Sequence, residues 1–218
     1  MAATAPRSSP YVYVTWIAKI LSGDAQCAWA PWFKAHFTFD KVKRSFDSAA
    51  WSASHNDMIR KRVAALTADG WLCFLEDQNA FNLQGEIATL AGKPDIVAVR
   101  GTNPPVALVV DCKTGQRRDS DYQQVLVYMM VLPLTCEAVK GLQLSGEVQY
   151  QDGSLEIRSE ELTPAVKERI VDAIRAAGAI NPPSRTPSFR ECGFCEITKE
   201  DCPQRIEKKK APVAAGMF

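Results

Sequence analysis

Two apolar runs joined by a short turn sequence constrain the fold of this chain more than any other feature. The runs are Asp95–Arg100 and Val106–Cys112, and the segment Gly101–Pro105 between them contains glycine, asparagine and two prolines. Apolar, β-branched runs of this length are typical of strands, and glycine, asparagine and proline are typical of turns. The sequence therefore predicts a β-hairpin around which the rest of the chain is organised.

A hairpin centred on Asn103 has a defined register. Antiparallel pairing about that residue sets Arg100 opposite Val106 and Asp95 opposite Asp111. Directly opposed residues point to the same face of the sheet, with Cβ atoms ~5 Å apart. A slip of one residue would send the two carboxylates to opposite faces.

The predicted register brings a lysine to the same two carboxylates. Lys113 follows Asp111 by two residues and shares its face, because side chains alternate along a strand. Carboxylates this close repel each other unless they share a proton or a cation. Mg²⁺ and Mn²⁺ prefer oxygen ligands, so the arrangement suits a divalent-cation site. The alternative interpretation is a solvated cluster of charges at a strand end, with no function.

Length and charge indicate one globular domain, here expected over residues 11–207 between a flexible leader, 1–10, and a flexible tail, 208–218. The 218 residues carry a formal net charge of +1 and no long apolar run that could span a membrane. Nucleic-acid-binding proteins usually carry a basic excess, so any phosphate contacts must come from local patches such as Arg60–Arg62. The leader lacks the apolar region of a secretory signal, which predicts a cytoplasmic protein with reduced cysteines.

Two predicted helices carry polar side chains of interest. The first, Ala49–Gly70, has an apolar stripe and contains His55 in its first turn. A histidine at a helix start is more often a cap or a surface residue, although imidazole is also a common metal ligand. The second helix, Tyr122–Leu132, is predicted to be capped by Asp119–Asp121 and ended by Pro133.

Gln124 and Tyr128 lie on one face of the second helix because they are four residues apart. The rest of that helix is apolar nearly all round, which predicts that it is buried. Buried polar groups need partners, so these two side chains either satisfy each other or orient a ligand. Other predicted elements are a strand, Trp71–Leu75, that precedes Glu76, and a helix, Ala165–Ala179, which Thr163 is predicted to cap and Pro164 to open.

The cysteines suggest a second metal site. Three late cysteines follow the pattern Cys-x2-Cys-x6-Cys-Pro; they are Cys192, Cys195 and Cys202. Structural zinc and iron–sulfur clusters both require four ligands, and the spacing leaves the two alternatives open. Cys27 is the best fourth candidate, because Cys73 lies in a predicted strand, Cys112 lies between site residues and Cys136 lies just past a helix.

Taken together and in this order, these residues resemble the RecB-type branch of the PD-(D/E)XK nuclease superfamily, and specifically its iron–sulfur members. The residues that carry the resemblance are His55, Gly92–Asp95, Asp111–Lys113, Gln124, Tyr128, Cys27, Cys192, Cys195 and Cys202. The closest small stand-alone form is the CRISPR-associated exonuclease family known as Cas-four. The resemblance implies an α/β fold with a restriction-endonuclease-like core, in which helices flank a mixed central β-sheet and a cysteine-ligated cluster joins the two ends of the chain.

The resemblance also implies roles for individual residues. His55, Asp95, Asp111 and the backbone carbonyl of Cys112 would hold Mg²⁺ or Mn²⁺, while Lys113 would position or activate water and offset charge on the phosphate. The residues that would orient the DNA backbone or the lysine are Gln124 and Tyr128. Glu76 would support the metal ligands without touching the ion. The ligands of a four-iron, four-sulfur cluster would be Cys27, Cys192, Cys195 and Cys202.

The implied activity is metal-dependent hydrolysis of DNA, as an exonuclease on single strands or ends, with CRISPR integration or repair proteins as partners. The sequence departs from the family at Asp111, where the family often has glutamate, and it carries no helicase motifs. Two alternatives remain open at this point: a non-catalytic DNA-binding scaffold of the same fold, and an endonuclease with zinc in place of the cluster.

Overall fold

A computed structural model describes residues 4–43 and 47–207, and these residues form ten strands and six α-helices. The strands are β1 (Ala5–Pro6), β2 (Tyr11–Tyr13), β3 (Phe37–Thr38), β4 (Leu72–Leu75), β5 (Phe81–Gln84), β6 (Thr89–Gly92), β7 (Ile96–Arg100), β8 (Val106–Lys113), β9 (Gln143–Tyr150) and β10 (Gly153–Ile157). The helices are α1 (Val14–Leu21), α2 (Trp29–His36), α3 (Ser48–Ala68), α4 (Asp119–Thr135), α5 (Pro164–Gly178) and α6 (Phe189–Phe194). The predicted flexible tail, 208–218, lies outside the described residues.

The predicted hairpin forms the centre of a mixed five-stranded sheet with the strand order β10-β9-β8-β7-β4. Strands β8 and β9 are parallel, and the other neighbours in this sheet are antiparallel. The register of the hairpin is confirmed, with Arg100 opposite Val106 and Ile96 opposite Val110. Continued by one residue, this register places Asp95 opposite Asp111. A smaller sheet with the order β2-β6-β5 is also mixed.

Helices cover both faces of the hairpin, so the protein is a layered α/β structure. On one face, Val97 and Val109 belong to a core formed with α1, α4 and α5. On the other face, Ile96 and Val110 pack with the apolar side chains of α3. Full burial of such a side chain contributes about 1.5–3 kcal/mol, so packing on two faces holds the hairpin register firmly.

Helix α4 differs from the prediction at its end. It runs from Asp119 through Pro133 to Thr135, so the prediction that Pro133 ends it was wrong. Proline lacks a backbone N–H and usually breaks a helix interior. Here the helix continues because the N–H of Cys136 still donates to the carbonyl of Leu132, at 2.8 Å, and closes the last turn.

The N-terminal segment also differs from the prediction of a flexible leader. Strand β1 pairs with β3, and the backbone N–H of Arg7 donates to the carbonyl of His36 at 2.7 Å. The carbonyl of Pro10 accepts a hydrogen bond from the N–H of Thr89. Residues 4–10 are therefore bonded to the rest of the domain. Among the described residues, no helix combines the length and apolar character needed to cross a membrane.

Candidate active site and cysteine pocket

A cleft of about 630 Å³ opens at the end of the β7–β8 hairpin. Its lining contains all but one of the residues predicted for the catalytic site, namely His55, Asp95, Asp111, Cys112, Lys113, Gln124 and Tyr128. They come from α3, the segment before β7, strand β8 and helix α4. Two groups of interactions can be distinguished within the cleft.

The first group surrounds the carboxylate of Asp95. The His55 imidazole Nε2 lies 3.3 Å from Asp95 Oδ2 and 3.2 Å from the backbone carbonyl oxygen of Cys112. Asp95 Oδ2 also accepts a hydrogen bond of 2.7 Å from the backbone N–H of Cys112. The hydrogen bond to Asp95 raises the pKa of His55, against the opposing effect of burial. An imidazole nitrogen, a carboxylate and a backbone carbonyl are thus placed around one point.

Glu76 belongs to this first group more directly than the sequence analysis predicted. Ligand atoms of His55, Glu76 and Asp95 all lie within 4.8 Å of one another. Glu76 adopts a φ of 34°, a left-handed conformation that costs a residue other than glycine about 1–3 kcal/mol. Its backbone N–H donates to the carbonyl of Asp95 at 3.1 Å. Strand β4 pairs with β7 and sets Leu75 opposite Ile96, which brings the next residue, Glu76, beside Asp95. A prediction of this pairing from the sequence would have placed Glu76 in the site.

The second group is a hydrogen-bonded network centred on Gln124. Its amide nitrogen donates to Asp111 Oδ1 at 2.8 Å and to the hydroxyl of Tyr128 at 3.2 Å. Its amide oxygen accepts a hydrogen bond of 3.1 Å from the ammonium of Lys113. Gln124 and Tyr128 are therefore bonded to each other, as one interpretation of the sequence predicted, and Gln124 also contacts both charged groups. That the pair orients a ligand stays a prediction.

Asp111 and Lys113 form a buried ion pair inside this network. The distance from Lys113 Nζ to Asp111 Oδ2 is 2.6 Å, and the Asp111 side chain is only 3% exposed. Burial raises the pKa of Asp111, and the negative charge of Asp95 adds to that effect, while Lys113 opposes it. Burial acts to lower the pKa of Lys113, but the carboxylate of Asp111 outweighs it, so the pKa is raised and the group remains an ammonium.

The residues of the cleft fit a hard divalent cation. Imidazole nitrogen and carboxylate and carbonyl oxygens are ligands that Mn²⁺ and Mg²⁺ accept. Asp111 Oδ2 lies 2.6 Å from the Lys113 ammonium, and a carboxylate oxygen can accept more than one interaction, so this oxygen has capacity for a further partner. The Asp111 carboxylate contacts Lys113 and Gln124. The Glu76 carboxylate lies within 4.8 Å of ligand atoms of His55 and Asp95.

Gly92 explains part of the Gly-Lys-Pro-Asp sequence that precedes the hairpin. A Cβ atom at this position would lie 2.6 Å from the ring of Phe81 and 2.9 Å from the ring of Tyr128. Only glycine allows both rings to lie against strand β6 at this distance. The glycine therefore positions the tyrosine that contacts Gln124.

The cysteine pocket lies apart from the cleft. One small cavity is lined by all four predicted cluster ligands, Cys27, Cys192, Cys195 and Cys202. Cys27 belongs to a small apolar cluster with Trp29, Trp32, Phe33 and Ile197, and Cys195 and Cys202 pack against that cluster. The remaining cysteines do not line this cavity. The segments around residue 27 and residues 192–202 are thus brought together around one cavity that all four cysteines line.

No protein-family model and no curated protein matches this sequence. One solved structure, "Crystal structure of SSO0001", is similar over 93% of this chain and 90% of that chain. The TM-score of that comparison is 0.45 and the sequence identity is 14%. A similarity at this level establishes neither a shared fold nor a shared function.

Proposed function

We propose that this protein is a divalent-metal-dependent DNA nuclease of the RecB-type PD-(D/E)XK group, of the iron–sulfur kind typified by the Cas-four family. The observation that carries the proposal is the convergence of His55, Asp95, Asp111 and Lys113 in one cleft, beside the carbonyl of Cys112. The mixed sheet flanked by helices supports the restriction-endonuclease-like core that the sequence resemblance implies.

The residues that would hold Mg²⁺ or Mn²⁺ are His55, Asp95, Asp111 and the Cys112 carbonyl, with the Glu76 carboxylate close by. Such an ion, when bound, lowers the pKa of water and neutralises charge that develops on the phosphate. The chain supplies the orientation of this site. Gln124 fixes the carboxylate of Asp111 and the ammonium of Lys113 relative to each other, so neither needs to reorganise during the reaction.

Lys113 acts in this proposal as a positive charge and a hydrogen-bond donor. Its raised pKa favours the ammonium form, which carries the positive charge and donates hydrogen bonds. An ammonium stabilises negative charge on a phosphate oxygen and holds a water molecule by donating to it. Activation of the water then depends on the proposed ion and on the carboxylates around it.

The cleft also suits a nucleic-acid strand. Its lining includes the cations Lys19, Lys93 and Arg118 and the aromatic side chains of Tyr13 and Trp51. Cations beside a reaction centre bind phosphates, and aromatic rings stack on unpaired bases. We therefore propose single-stranded DNA or DNA ends as the substrate. Roles in CRISPR spacer acquisition or DNA repair, with the corresponding partner proteins, follow from the sequence resemblance.

For the cysteine pocket we propose a four-iron, four-sulfur cluster in preference to zinc. Zinc and a four-iron, four-sulfur cluster are both held by four cysteine thiolates, and all four candidate ligands line this one cavity. The preference for the cluster follows from the sequence resemblance, which assigns an iron–sulfur centre to one early and three late cysteines. The colour and metal content of anaerobically purified protein test the choice, because a colourless sample that contains zinc would contradict it.

The nuclease proposal is tested by cleavage of single-stranded DNA with Mg²⁺ or Mn²⁺, with chelator controls. Wild-type protein should cut the strand, and the Asp111→Ala and Lys113→Ala variants should lose at least about 10²-fold in rate. Equal rates in all three proteins, with DNA still bound, would replace the nuclease by a non-catalytic DNA-binding scaffold. No cleavage and no binding by wild-type protein would reject both.

A further inference from the structure

The segment that carries the late cysteines is folded back on itself by one arginine. The N–H of Cys202 donates to the carbonyl of Thr198 at 3.0 Å, and the N–H of Arg205 donates to the carbonyl of Cys202 at 2.9 Å. This turn returns the Arg205 side chain into the loop. Its guanidinium Nη1 donates to the backbone carbonyls of Cys195, at 3.0 Å, and Ile197, at 2.5 Å.

The opposite wall of the cysteine pocket is held by bonds to Gln26, the residue before Cys27. The N–H of Gln26 donates to the carboxylate of Glu191, which directly precedes Cys192. The hydroxyl of Thr186 donates to the Gln26 carbonyl at 3.0 Å. Hydrogen bonds within the chain therefore join the segment that precedes Cys27 to the segment that leads into Cys192.

Arg205 differs from these other contacts because it places a positive charge at the pocket itself, where it is one of the lining residues. A second lining arginine, Arg185, lies over the ring of Trp29, 4.0 Å from the ring centroid. Four thiolates around an iron–sulfur core form a centre with a net negative charge, and reduction makes it more negative. Reduction potentials of such centres respond to nearby charge and hydrogen bonding.

We infer that Arg205 is a positioning residue for the cysteine-ligated centre: it holds Cys195 in place through the loop carbonyls and raises the reduction potential of the centre. This inference rests on the proposed iron–sulfur cluster. The reduction concerned adds one electron to the cluster from an external reductant and changes no covalent bond of the protein. The guanidinium stabilises the more negative, reduced form, so its loss should make reduction harder.

The test compares three variants of the full chain. Arg205→Met removes both the charge and the carbonyl contacts, whereas Arg205→Lys keeps the charge but has a side chain one atom shorter than the chain that carries Nη1, so its ammonium lies farther from the two carbonyls. Arg190→Met is the matched control, because Arg190 is an exposed arginine on α6, two residues from Cys192. Each protein is purified without oxygen, reconstituted with ferrous iron and sulfide, and analysed for iron and sulfide per chain. Iron release to a chelator and the midpoint potential during a dithionite titration are then measured.

We expect Arg205→Met to release iron about 10- to 100-fold faster than wild type, as is typical when a residue that orients a metal ligand is lost. Its midpoint potential should shift to a more negative value. Arg205→Lys should also release iron faster but keep a potential close to that of wild type. Arg190→Met should match wild type in both measurements. If Arg205→Met does not fold, the release rate of the lysine variant decides the positioning role.

Two results would overturn the inference in distinguishable ways. Equal release rates and potentials in wild type and both Arg205 variants would reject the role of Arg205 and leave the cluster in place. A wild-type protein that holds no iron after reconstitution would reject the cluster and the inference together. DNA cleavage by the same preparations reports on the catalytic cleft separately, because that cleft shares no lining residue with the cysteine pocket.

Discussion

The candidate active-site cleft and the cysteine pocket are assembled over very different distances in the sequence. In the cleft, Asp95 bonds to Cys112, 17 residues away, and Gln124 bonds to Asp111, 13 residues away. In the cysteine pocket, Gln26 bonds to Glu191, 165 residues away. The cleft is formed largely by one hairpin and the helix that follows it, whereas the pocket forms only when the two ends of the chain meet.

The two regions also differ in the apolar core beneath them. The hairpin under the cleft is packed on both faces, by helices α1, α4 and α5 on one side and by α3 on the other. The cysteine pocket has a small apolar cluster of its own, around Trp29 and Phe33. Closing a long loop costs more conformational entropy than closing a short one, so a metal that joins distant segments gains more stability. Activity should therefore depend on the cleft, and stability of the chain ends on the bound centre.

The largest expected effect separates activity from stability. Asp111→Asn keeps the size of the side chain but removes a charge in the cleft, and we expect DNA cleavage to fall by about 10²–10³-fold. Burial raises the pKa of Asp111, so the folded protein disfavours its charged form, and removal of this charge offsets the cost of leaving the Lys113 ammonium without its carboxylate partner. The midpoint of thermal unfolding should therefore stay within about 4 °C of wild type, or ~1 kcal/mol. Cleavage kinetics and calorimetry on the same samples measure the loss of activity and the change in unfolding temperature. A large fall in the unfolding temperature would contradict the prediction that Asp111 affects activity without affecting stability.

The hairpin and its register could be predicted because the information is local. Two β-branched runs and a turn sequence define the strands, and the alternation of side chains then places Asp95 and Asp111 together. The start of helix α5 was similarly readable, since the hydroxyl of Thr163 accepts a hydrogen bond from the N–H of Val166 and Pro164 takes the first helical position.

The features that the sequence did not reveal depend on tertiary contacts. Glu76 reaches Asp95 only because β4 pairs with β7 and because its own backbone adopts a left-handed conformation. Strand β1 is only two residues long, and it forms because Phe37–Thr38 offers an edge to pair with. Helix α4 passes Pro133 because its last turn is closed at Cys136 and the helix is packed into the core. Each of these three features depends on contacts with residues that are distant in the sequence or on the packing of the whole domain, so the local sequence does not predict it.

The second prediction tests the cysteine pocket. Cys192→Ala should remove the proposed centre and lower stability by more than about 4 kcal/mol, which is the range seen when a metal site is lost. At 2–4 °C per kcal/mol for a domain of this size, the unfolding temperature should fall by about 8–16 °C. Cys202→Ala should behave alike, and both should reduce the yield of soluble protein more than Lys113→Ala does.

Cys136→Ala is the control for that prediction, because Cys136 lies at the end of α4 and does not line the pocket. It should retain its iron and unfold near the wild-type temperature. If Cys192→Ala and Cys136→Ala unfolded at the same temperature, the hydrogen bonds around Gln26 and Arg205 would suffice to join the chain ends, and the contrast between the two regions would disappear.

A smaller effect is expected at Glu76, which sharpens the description of the cleft. Glu76→Gln keeps the shape of the side chain and removes its charge, so Mn²⁺ affinity should weaken by about 10- to 100-fold. Asp77→Asn is the matched control, because the Asp77 side chain is 93% exposed and pairs with Lys93 at the surface. Calorimetric titration with Mn²⁺ measures both. Equal affinities in the two variants would mean that Glu76 lies near the proposed ion without contributing to its binding.

The smallest effect concerns packing between helix α4 and the smaller sheet, where Gly92 allows Tyr128 to approach strand β6. Gly92→Ala would press a methyl group against the rings of Phe81 and Tyr128, and overpacking of this kind typically costs about 1–3 kcal/mol. The unfolding temperature should fall by about 2–12 °C, and DNA cleavage should slow a few-fold as the tyrosine shifts away from Gln124.

Gly101→Ala serves as the control for Gly92→Ala, because a Cβ atom there meets no heavy atom within 4 Å. Repeating the Gly92→Ala substitution in a Phe81→Leu protein tests whether its effect arises from side-chain packing. In a Phe81→Leu protein the ring that lies closest to the new methyl group is gone, so Gly92→Ala should cost less there than in wild type. This coupling appears as non-additive changes in unfolding free energy, which contacting residues show and distant ones do not. Additive changes would mean that the Gly92 effect arises in the backbone, and the positioning of Tyr128 would then rest on helix α4 alone.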